Sequence, residues 1–304
     1  MLENVLPQNI ANALNRYQNL IELNEIRLRV NKPVVVIVKN KKYYLGERGF
    51  TSLENAIVLD YESIQRIVFK MCDNSVYSVN DCIKNGYITL QGGIRVGLTG
   101  EVVSEQGQVT TIKNFQALNF RIPHFVEGCS TIALEYILNG KFNNTLILSP
   151  PGAGKTTFIR DIVYQLYKRN YCYNILIADE RNEIMSMLNA ESCFDLGGFC
   201  DVYTNCSKEF AFKHGIRSMN PDIIVCDEID IDKDLETVVG ATNCGVKVLC
   251  TLHCDNINQL KTKKNFDKIF NNKVFDRYIF LSNLEGPGTL TSIYDANLKC
   301  IYCR

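Results

Sequence analysis

Residues 144–157 hold the amino acids best suited to a defined chemical task. The apolar run Leu146-Ile147-Leu148 leads into a turn of proline and glycine, and a helical pattern follows. A strand, a glycine-rich loop and a helix in this order form a phosphate-binding loop, whose backbone N–H groups surround a polyphosphate. We therefore predict that this loop binds ATP. Its predicted nucleotide contacts are Ser149, Pro150, Pro151, Gly152, Ala153, Gly154, Lys155, Thr156 and Thr157.

Two side chains of this loop have specific predicted tasks. Lys155 would reach the β- and γ-phosphates, and the Thr156 hydroxyl would be a ligand of Mg²⁺. Ser149 stands where the common motif has its first glycine, a position that needs a small residue. The alternative is a chance Gly-Lys-Thr sequence in a surface turn, and the flanking strand and helix argue against it.

The second motif of the sequence lies at residues 221–229, where an apolar run ends in the acidic pair Asp227-Glu228. In an open α/β sheet, ligands bind at the carboxyl ends of the strands, which is where these carboxylates would lie. We predict that Asp227 holds Mg²⁺ through water and that Glu228 polarises the attacking water. An Asp-Glu pair after an apolar run is common, so the prediction depends on the phosphate-binding loop upstream.

Two further strand ends carry candidate residues. Asp179, Glu180 and Glu183 follow an apolar run, and we expect Asp179 to contribute to the metal site and the two glutamates to catalysis. Acidic residues also favour the first turn of a helix, which is the alternative explanation. His253 ends another run, and it could sense the γ-phosphate or serve only a structural purpose.

The elements that position these residues alternate between strand and helix after residue 130. Such alternation is typical of a parallel α/β sheet, and it predicts a RecA-like P-loop ATPase domain over residues 129–304. Strands are predicted at residues 145–148, 174–178, 223–226, 246–251 and 277–281, and helices at residues 156–168, 211–219 and 235–243.

Residues 1–128 predict a smaller α+β domain. Apolar residues at helical spacing favour helices, and alternation with a period of two favours strands. Residues 86–100 alternate like a hairpin with Gly92-Gly93 at its turn, and their five glycines suggest a bulge. The predicted helices are residues 9–20 and 61–72, and the other predicted strands are residues 25–30, 34–38, 41–45 and 119–123.

Composition excludes several classes of protein. Of the 304 residues, 33 are Lys or Arg and 33 are Asp or Glu, so no global charge favours wrapping nucleic acid. The 13 cysteines are scattered, which predicts reduced thiols and a cytoplasmic protein. We expect no secretory signal and no transmembrane segment. The lysines near residues 261–273 are a local basic run, which is more often a solvated face.

Four elements follow one another along the chain: the phosphate-binding loop, the acidic residues 179–183, the strand that ends in Asp227-Glu228 and the strand that ends in His253. This order resembles that of the secretion ATPases of bacterial type II and type IV systems. The resemblance narrows to the stage III sporulation protein AA family. The segments that carry it are residues 25–30, 86–100, 149–161, 179–184 and 216–222. This resemblance implies a homohexameric, Mg²⁺-dependent ATPase without nucleic acid. It would be a cytoplasmic motor, peripheral at the inner face of the mother-cell membrane, and would energise a secretion-like channel to the forespore with membrane-protein partners.

The resemblance also implies that arginines of the N-terminal domain complete the nucleotide site. Arg95 and Arg121 are the candidates, because both lie on predicted strands bounded by glycine or proline. A salt bridge that stabilises the fold is the alternative role for each. Two other functions stay open at this point: a nucleic-acid-dependent RecA-type ATPase, and a nucleotide-binding scaffold with little turnover.

Overall fold

The computed structural model describes residues 2–16, 22–39, 41–72, 83–90, 93–105, 107–187, 192 and 194–304. The chain divides into two compact units. The first comprises Met1–His124 and Met187–Cys193, and the second comprises Phe125–Ser186 and Phe194–Arg304. Within the described part, no helix has both the length and the apolarity to cross a membrane.

The first unit is built around an antiparallel sheet in the order β4-β3-β2-β1-β7-β6-β5. Its strands are β1 Leu23–Arg29, β2 Val35–Val38, β3 Lys41–Gly46, β4 Gly49–Thr51, β5 Tyr87–Thr89, β6 Arg95–Glu105 and β7 Gln108–Arg121. Its helices are α1 Leu2–Val5, α2 Gln8–Asn15 and α3 Tyr61–Met71. The strand predicted at residues 119–123 is the end of the much longer β7. The predicted turn at Gly92-Gly93 lies partly outside the described residues.

Alternation along the strands gives this sheet one buried face. Ile26 and Leu28 of β1 are buried, and they pair in register with Phe120 and Leu118 of β7. The residues that alternate with them on β1 are the charged Glu25, Arg27 and Arg29, so a one-residue shift would exchange core and solvent faces. Helix α3 starts at the cap Asp60, whose carboxylate accepts a 2.8 Å hydrogen bond from the backbone N–H of Ser63.

A bulge interrupts the pairing of β6 and β7. Thr99 pairs with Ala117, but the next pair is Glu101 with Lys113, so β7 has extra residues there. Asn114 in the bulge has a left-handed backbone with φ 49°. A Cβ at Gly100 would lie 2.6 Å from the Lys113 carbonyl oxygen, so this close approach requires glycine.

The second unit contains a sheet in the order β10-β9-β11-β12-β8-β13-β14-β15. The pairings from β10 to β13 are parallel, and β14 and β15 add antiparallel strands. The strands are β8 Thr145–Ser149, β9 Ile175–Asp179, β10 Cys200–Thr204, β11 Ile223–Cys226, β12 Lys247–His253, β13 Arg277–Ser282, β14 Thr289–Asp295 and β15 Cys300–Cys303. The helices are α4 Thr131–Ile137, α5 Lys155–Lys168, α6 Lys208–Ser218, α7 Ile231–Asn243, α8 Ile257–Thr262 and α9 Phe266–Asn271.

The central strands β8, β9 and β11 are buried along their whole length, as expected where helices cover both faces of a sheet. Their carboxyl ends meet at one edge together with that of β12, because β9, β11, β12 and β8 are neighbours. This edge positions the candidate site.

Candidate functional site

The loop between β8 and α5 has the backbone that a glycine-rich phosphate loop requires. Gly152 and Gly154 have φ 72° and 85°, a region where side chains are strained. A Cβ at Gly154 would lie 2.9 Å from the backbone nitrogen of Gly288. The Gly288 N–H donates a 2.7 Å hydrogen bond to the Ala153 carbonyl, so the turn between β13 and β14 supports the loop.

Lys155, the first residue of α5, is buried beside a histidine and a serine. Its Nζ lies 2.8 Å from His253 Nδ1 and 3.4 Å from Ser149 Oγ. Burial lowers the pKa of Lys155, and the charges of Asp227, Glu228 and Glu183 oppose this effect. An ammonium held in this way gains a counter-charge when a phosphate enters the loop.

Thr156 and Asp227 are in direct contact. The Thr156 hydroxyl donates a 2.6 Å hydrogen bond to Asp227 Oδ2, and the Thr251 hydroxyl donates to Oδ1. A hydroxyl and a carboxylate at this separation are hard oxygen donors of the kind that Mg²⁺ prefers. No cluster of three or more His, Cys, Asp or Glu in the described chain could hold a metal. One hydroxyl and one carboxylate fit Mg²⁺, which usually keeps several waters and substrate phosphates as its other ligands.

Glu228 has a strained backbone and a doubly bound carboxylate. Its φ is 49°, and its backbone N–H donates a 2.7 Å hydrogen bond to Thr251 Oγ1. Its carboxylate lies 2.7 Å from the Arg181 guanidinium and 3.4 Å from His253 Nε2. If Lys155 donates to His253 Nδ1, the imidazole proton is on Nε2 and points to Glu228.

Asp179 is occupied by the backbone of the loop that follows it. Its carboxylate accepts hydrogen bonds from the N–H groups of Glu183, Ile184 and Met185 at 2.7, 3.0 and 2.8 Å. Burial raises the pKa of Asp179, although these three hydrogen bonds act in the opposite direction. The observed contacts give Asp179 a structural task, and its metal role stays a prediction.

Glu180 and Glu183 lie on the same loop but in different surroundings. The Glu180 carboxylate pairs with the buried Lys208, whose Nζ is also 3.6 Å from Asp234. Burial lowers the pKa of Lys208, but the hydrogen bond that Lys208 donates to Glu180 and the Asp234 charge outweigh this effect and leave the pKa raised. The Glu183 charge opposes the lowering of the Lys155 pKa that burial causes.

The family model for sporulation stage III, protein AA matches residues 1–301. This chain belongs to that family. It is 33% identical over 296 residues to the stage III sporulation protein AA of Bacillus subtilis (strain 168), a match that covers 96% of this chain and 93% of the relative. The resemblance expected from the sequence motifs is confirmed.

Two solved structures share the fold of this stage III protein AA chain. The Legionella pneumophila ATPase DotB has a TM-score of 0.61 at 13% identity, over 90% of this chain and 76% of DotB. The pilus retraction motor PilT with bound ADP has a TM-score of 0.57 at 16% identity, over 89% of this chain and 76% of PilT. These likenesses confirm the α/β fold expected from a P-loop secretion ATPase.

Three side chains of the stage III protein AA site were not singled out from the sequence. Thr251 joins Asp227 to the Glu228 backbone, and Arg181 holds the Glu228 carboxylate. Arg160 on α5 is buried and donates a 2.7 Å hydrogen bond to the Ile184 carbonyl. Thr251 and Arg181 lie within the strand-end motifs described above. Which side chain of such a motif faces the site depends on how the strands pair, and the sequence pattern does not give that pairing.

Arg95 and Arg121 lie in the first unit of this stage III protein AA chain. They are direct partners across β6 and β7, and Glu25 pairs with Arg121 on the other side. The Arg95 guanidinium stacks over the Tyr87 ring, 3.9 Å from its centroid. The two arginines therefore form one basic patch, and their catalytic role stays a prediction.

Proposed function

We propose that this protein is a Mg²⁺-dependent ATPase that drives a membrane-associated complex during sporulation. The observation that carries the proposal is the chain of contacts Lys155–His253–Glu228 beside Thr156–Asp227. The groups that we expect to bind phosphate, to hold the metal and to activate water thus share one sheet edge. The family and the fold support the same conclusion.

In this proposal each side chain acts on ATP or on water. Lys155 and the backbone N–H groups of the loop bind the phosphates, and Glu228 orients the attacking water. Thr156 and, through water, Asp227 would hold Mg²⁺, which offsets the phosphate charge. His253 would exchange its contact with Lys155 for one with the γ-phosphate, because an imidazole N–H can donate to a phosphate oxygen.

The wider assignment rests on the relatives. We propose a homohexamer at the inner face of the mother-cell membrane, where ATP turnover energises a secretion-like channel to the forespore. DotB and PilT are described as an ATPase and a retraction motor, which supports the motor role. In the hexamer, Arg95 or Arg121 would supply a cation to the bound nucleotide.

The decisive experiment measures the ATPase rate of the chain in three mixtures. They are the chain alone, the chain with single-stranded DNA, and the chain with the cytoplasmic fragment of a candidate membrane partner. We expect Mg²⁺-dependent turnover that rises with the membrane fragment and not with DNA. Stimulation by DNA alone would favour the nucleic-acid-dependent class, and ATP binding without turnover in every mixture would favour a scaffold.

A further inference from the structure

The bulge in the first unit forms one wall of a cavity, which we call the bulge pocket. It has a volume of about 480 Å³ and is lined by Arg29, Lys32, Tyr61, Thr99, Gln116 and Ala117, among others. This volume falls within the range of about 300–1,000 Å³ typical of small-molecule sites. Arg29 belongs to one of the sequence motifs that identified the family, and the nucleotide site gives it no task.

Helix α3 holds the bulge in shape at two places. The Gln65 side chain donates a 2.7 Å hydrogen bond to the Phe115 carbonyl and accepts one of 3.3 Å from the Phe115 N–H. The Tyr61 hydroxyl donates to Asn114 Oδ1 at 2.9 Å. The two Gln65 bonds satisfy the backbone groups of Phe115, which the irregular pairing would otherwise leave open. The pocket wall is therefore an ordered feature, and bulges often occur beside functional sites.

The floor of the bulge pocket follows from strand register. Arg29 of β1, Ala117 of β7 and Thr99 of β6 are direct partners across three adjacent strands, so they share one face of the sheet. The small alanine between two larger side chains leaves a depression. Both the Arg29 and Thr99 side chains can reach a group lying over Ala117.

The bulge pocket carries uncompensated positive charge. Arg29 and Lys32 are exposed, and within the described part of the chain neither makes an ion pair or a side-chain hydrogen bond. The described lining includes no carboxylate. The nearby Glu101 is already bound by the Asn114 amide at 2.6 Å and by Lys113 at 3.2 Å.

We propose that the bulge pocket binds a phosphate group. A guanidinium can bind two phosphate oxygens with its planar fork, and an ammonium supplies a point charge to a third. The Thr99 hydroxyl and the Gln116 amide add neutral donors at the same cavity. The phosphate belongs either to a soluble phosphorylated molecule or to a lipid headgroup, and both sources present the same chemistry.

The test uses the full chain with its P-loop saturated by Mg·ADP, so that the nucleotide site does not take up the probe. Glycerol 3-phosphate is titrated by calorimetry, and binding to phosphatidylcholine vesicles with and without phosphatidylglycerol is measured by sedimentation. We expect the wild type to bind glycerol 3-phosphate, the phosphatidylglycerol vesicles, or both. Binding to the first identifies a soluble ligand, and binding to the vesicles alone identifies a headgroup.

A charge-matched pair of variants locates the binding. Arg29→Gln/Lys32→Gln should weaken it at least about tenfold, since two charge-assisted contacts are lost. Lys41→Gln/Lys42→Gln removes the same charge from the exposed part of β3, and it should change binding less than about twofold. Equal losses in the two double variants, or no binding of either probe by the wild type, would overturn the proposal.

A third variant tests shape without changing charge. Ala117→Leu fills the floor of the bulge pocket, so it should weaken binding about as much as the charge variant, while thermal melting reports whether the fold is retained. A folded Ala117→Leu protein with wild-type binding would contradict a pocket site and reduce the effect to general surface charge.

Discussion

At the scale of single residues, His253 connects the two halves of the candidate site. One ring nitrogen contacts the phosphate-loop Lys155 and the other faces Glu228. Lys155 is the proposed partner of the ATP phosphates, and Glu228 is the proposed partner of the attacking water. In the proposed function, nucleotide binding would exchange these contacts for contacts with the phosphates and the attacking water.

Lys155→Ala should abolish ATP binding while the chain stays folded, because the ammonium supplies charge to the phosphates and contributes little apolar packing. Calorimetric titration with ATP and a thermal melt would measure both effects. Lys141→Ala removes an exposed lysine of the same unit and serves as the control. ATP affinity equal to that of the wild type in Lys155→Ala would refute the assignment.

Glu228→Gln should retain ATP binding and lose at least about 10²-fold in turnover, since an amide cannot accept a proton from water. Steady-state ATPase rates at saturating ATP would show the loss. Glu236→Gln, on an exposed turn of α7, is the matched control. If turnover of Glu228→Gln stayed within about threefold of the wild type, Asp179, Glu180 or Glu183 would have to act as the base.

Thr251→Val should impair the site through geometry. The valine leaves the Glu228 N–H without its hydrogen-bond acceptor, which should lower the free energy of unfolding by about 1–3 kcal/mol. It also removes the hydrogen bond from Thr251 to one Asp227 oxygen. We expect a lower melting temperature and a higher Mg²⁺ concentration for half-maximal turnover. Thr251→Ser restores the hydroxyl and should recover both; failure of serine to do so would contradict the positioning role.

At the scale of elements, the sequence predicts what short-range patterns determine. Strand β11 has the predicted bounds 223–226, because an apolar run ends sharply at Asp227-Glu228. Helix α6 begins three residues before the prediction, because Ser207 caps it and accepts a hydrogen bond from the Phe210 N–H. Strand β10 was not predicted: it is half-exposed at the sheet edge and lacks an apolar run.

For the candidate site too, the sequence predicts only what short-range patterns determine. The strand-end residues are visible in the sequence because each follows an apolar run. The tasks of Thr251, Arg181 and Arg160 depend on contacts between segments far apart in the chain, and no local pattern encodes such contacts. The β6–β7 bulge is an intermediate case, because its glycines are visible but the extra residues opposite Gly100 are not.

The phosphate loop depends on its support by the β13–β14 turn, and a pair of glycines tests this. Gly154→Ala and Gly140→Ala both place a side chain at positive φ, 85° and 75°, with a similar strain of about 1–2 kcal/mol. Of these two glycines, only Gly154 would place an added Cβ within 3 Å of a backbone atom, the Gly288 nitrogen. We expect both variants to melt at lower temperature and only Gly154→Ala to lose ATP affinity, as calorimetry would show. Equal affinity losses would argue against the support.

At the scale of the whole molecule, the first unit holds the residues proposed to complete a site on the second. Arg95 and Arg121 are neighbours in the sheet, so one basic patch could meet the charge that develops on the γ-phosphoryl group. A fold-stabilising salt bridge is the alternative role for each arginine, although the Glu25 carboxylate beside Arg121 is bound by Arg27. The two roles differ in their effect on turnover.

Arg95→Ala or Arg121→Ala should lower kcat by roughly 10³ with little change in ATP affinity, which is the effect of losing an arginine finger. Turnover measured over a range of protein concentrations separates this from ring dissociation, which high concentration would rescue. Arg48→Ala, an exposed arginine in the turn between β3 and β4, is the control. Full activity in both variants would leave the first unit as a partner-docking module.

The hydrogen bond from Gly288 to Ala153 has a consequence for synthesis on the ribosome. The strand that carries the phosphate loop also lies between β12 and β13, which are translated long after it. When the phosphate loop has left the ribosome and these later segments have not, strand β8 lacks both of its neighbours and the loop lacks its hydrogen bond from Gly288. Nascent chains should therefore acquire the proposed ATP affinity only after the β13–β14 turn has left the exit tunnel.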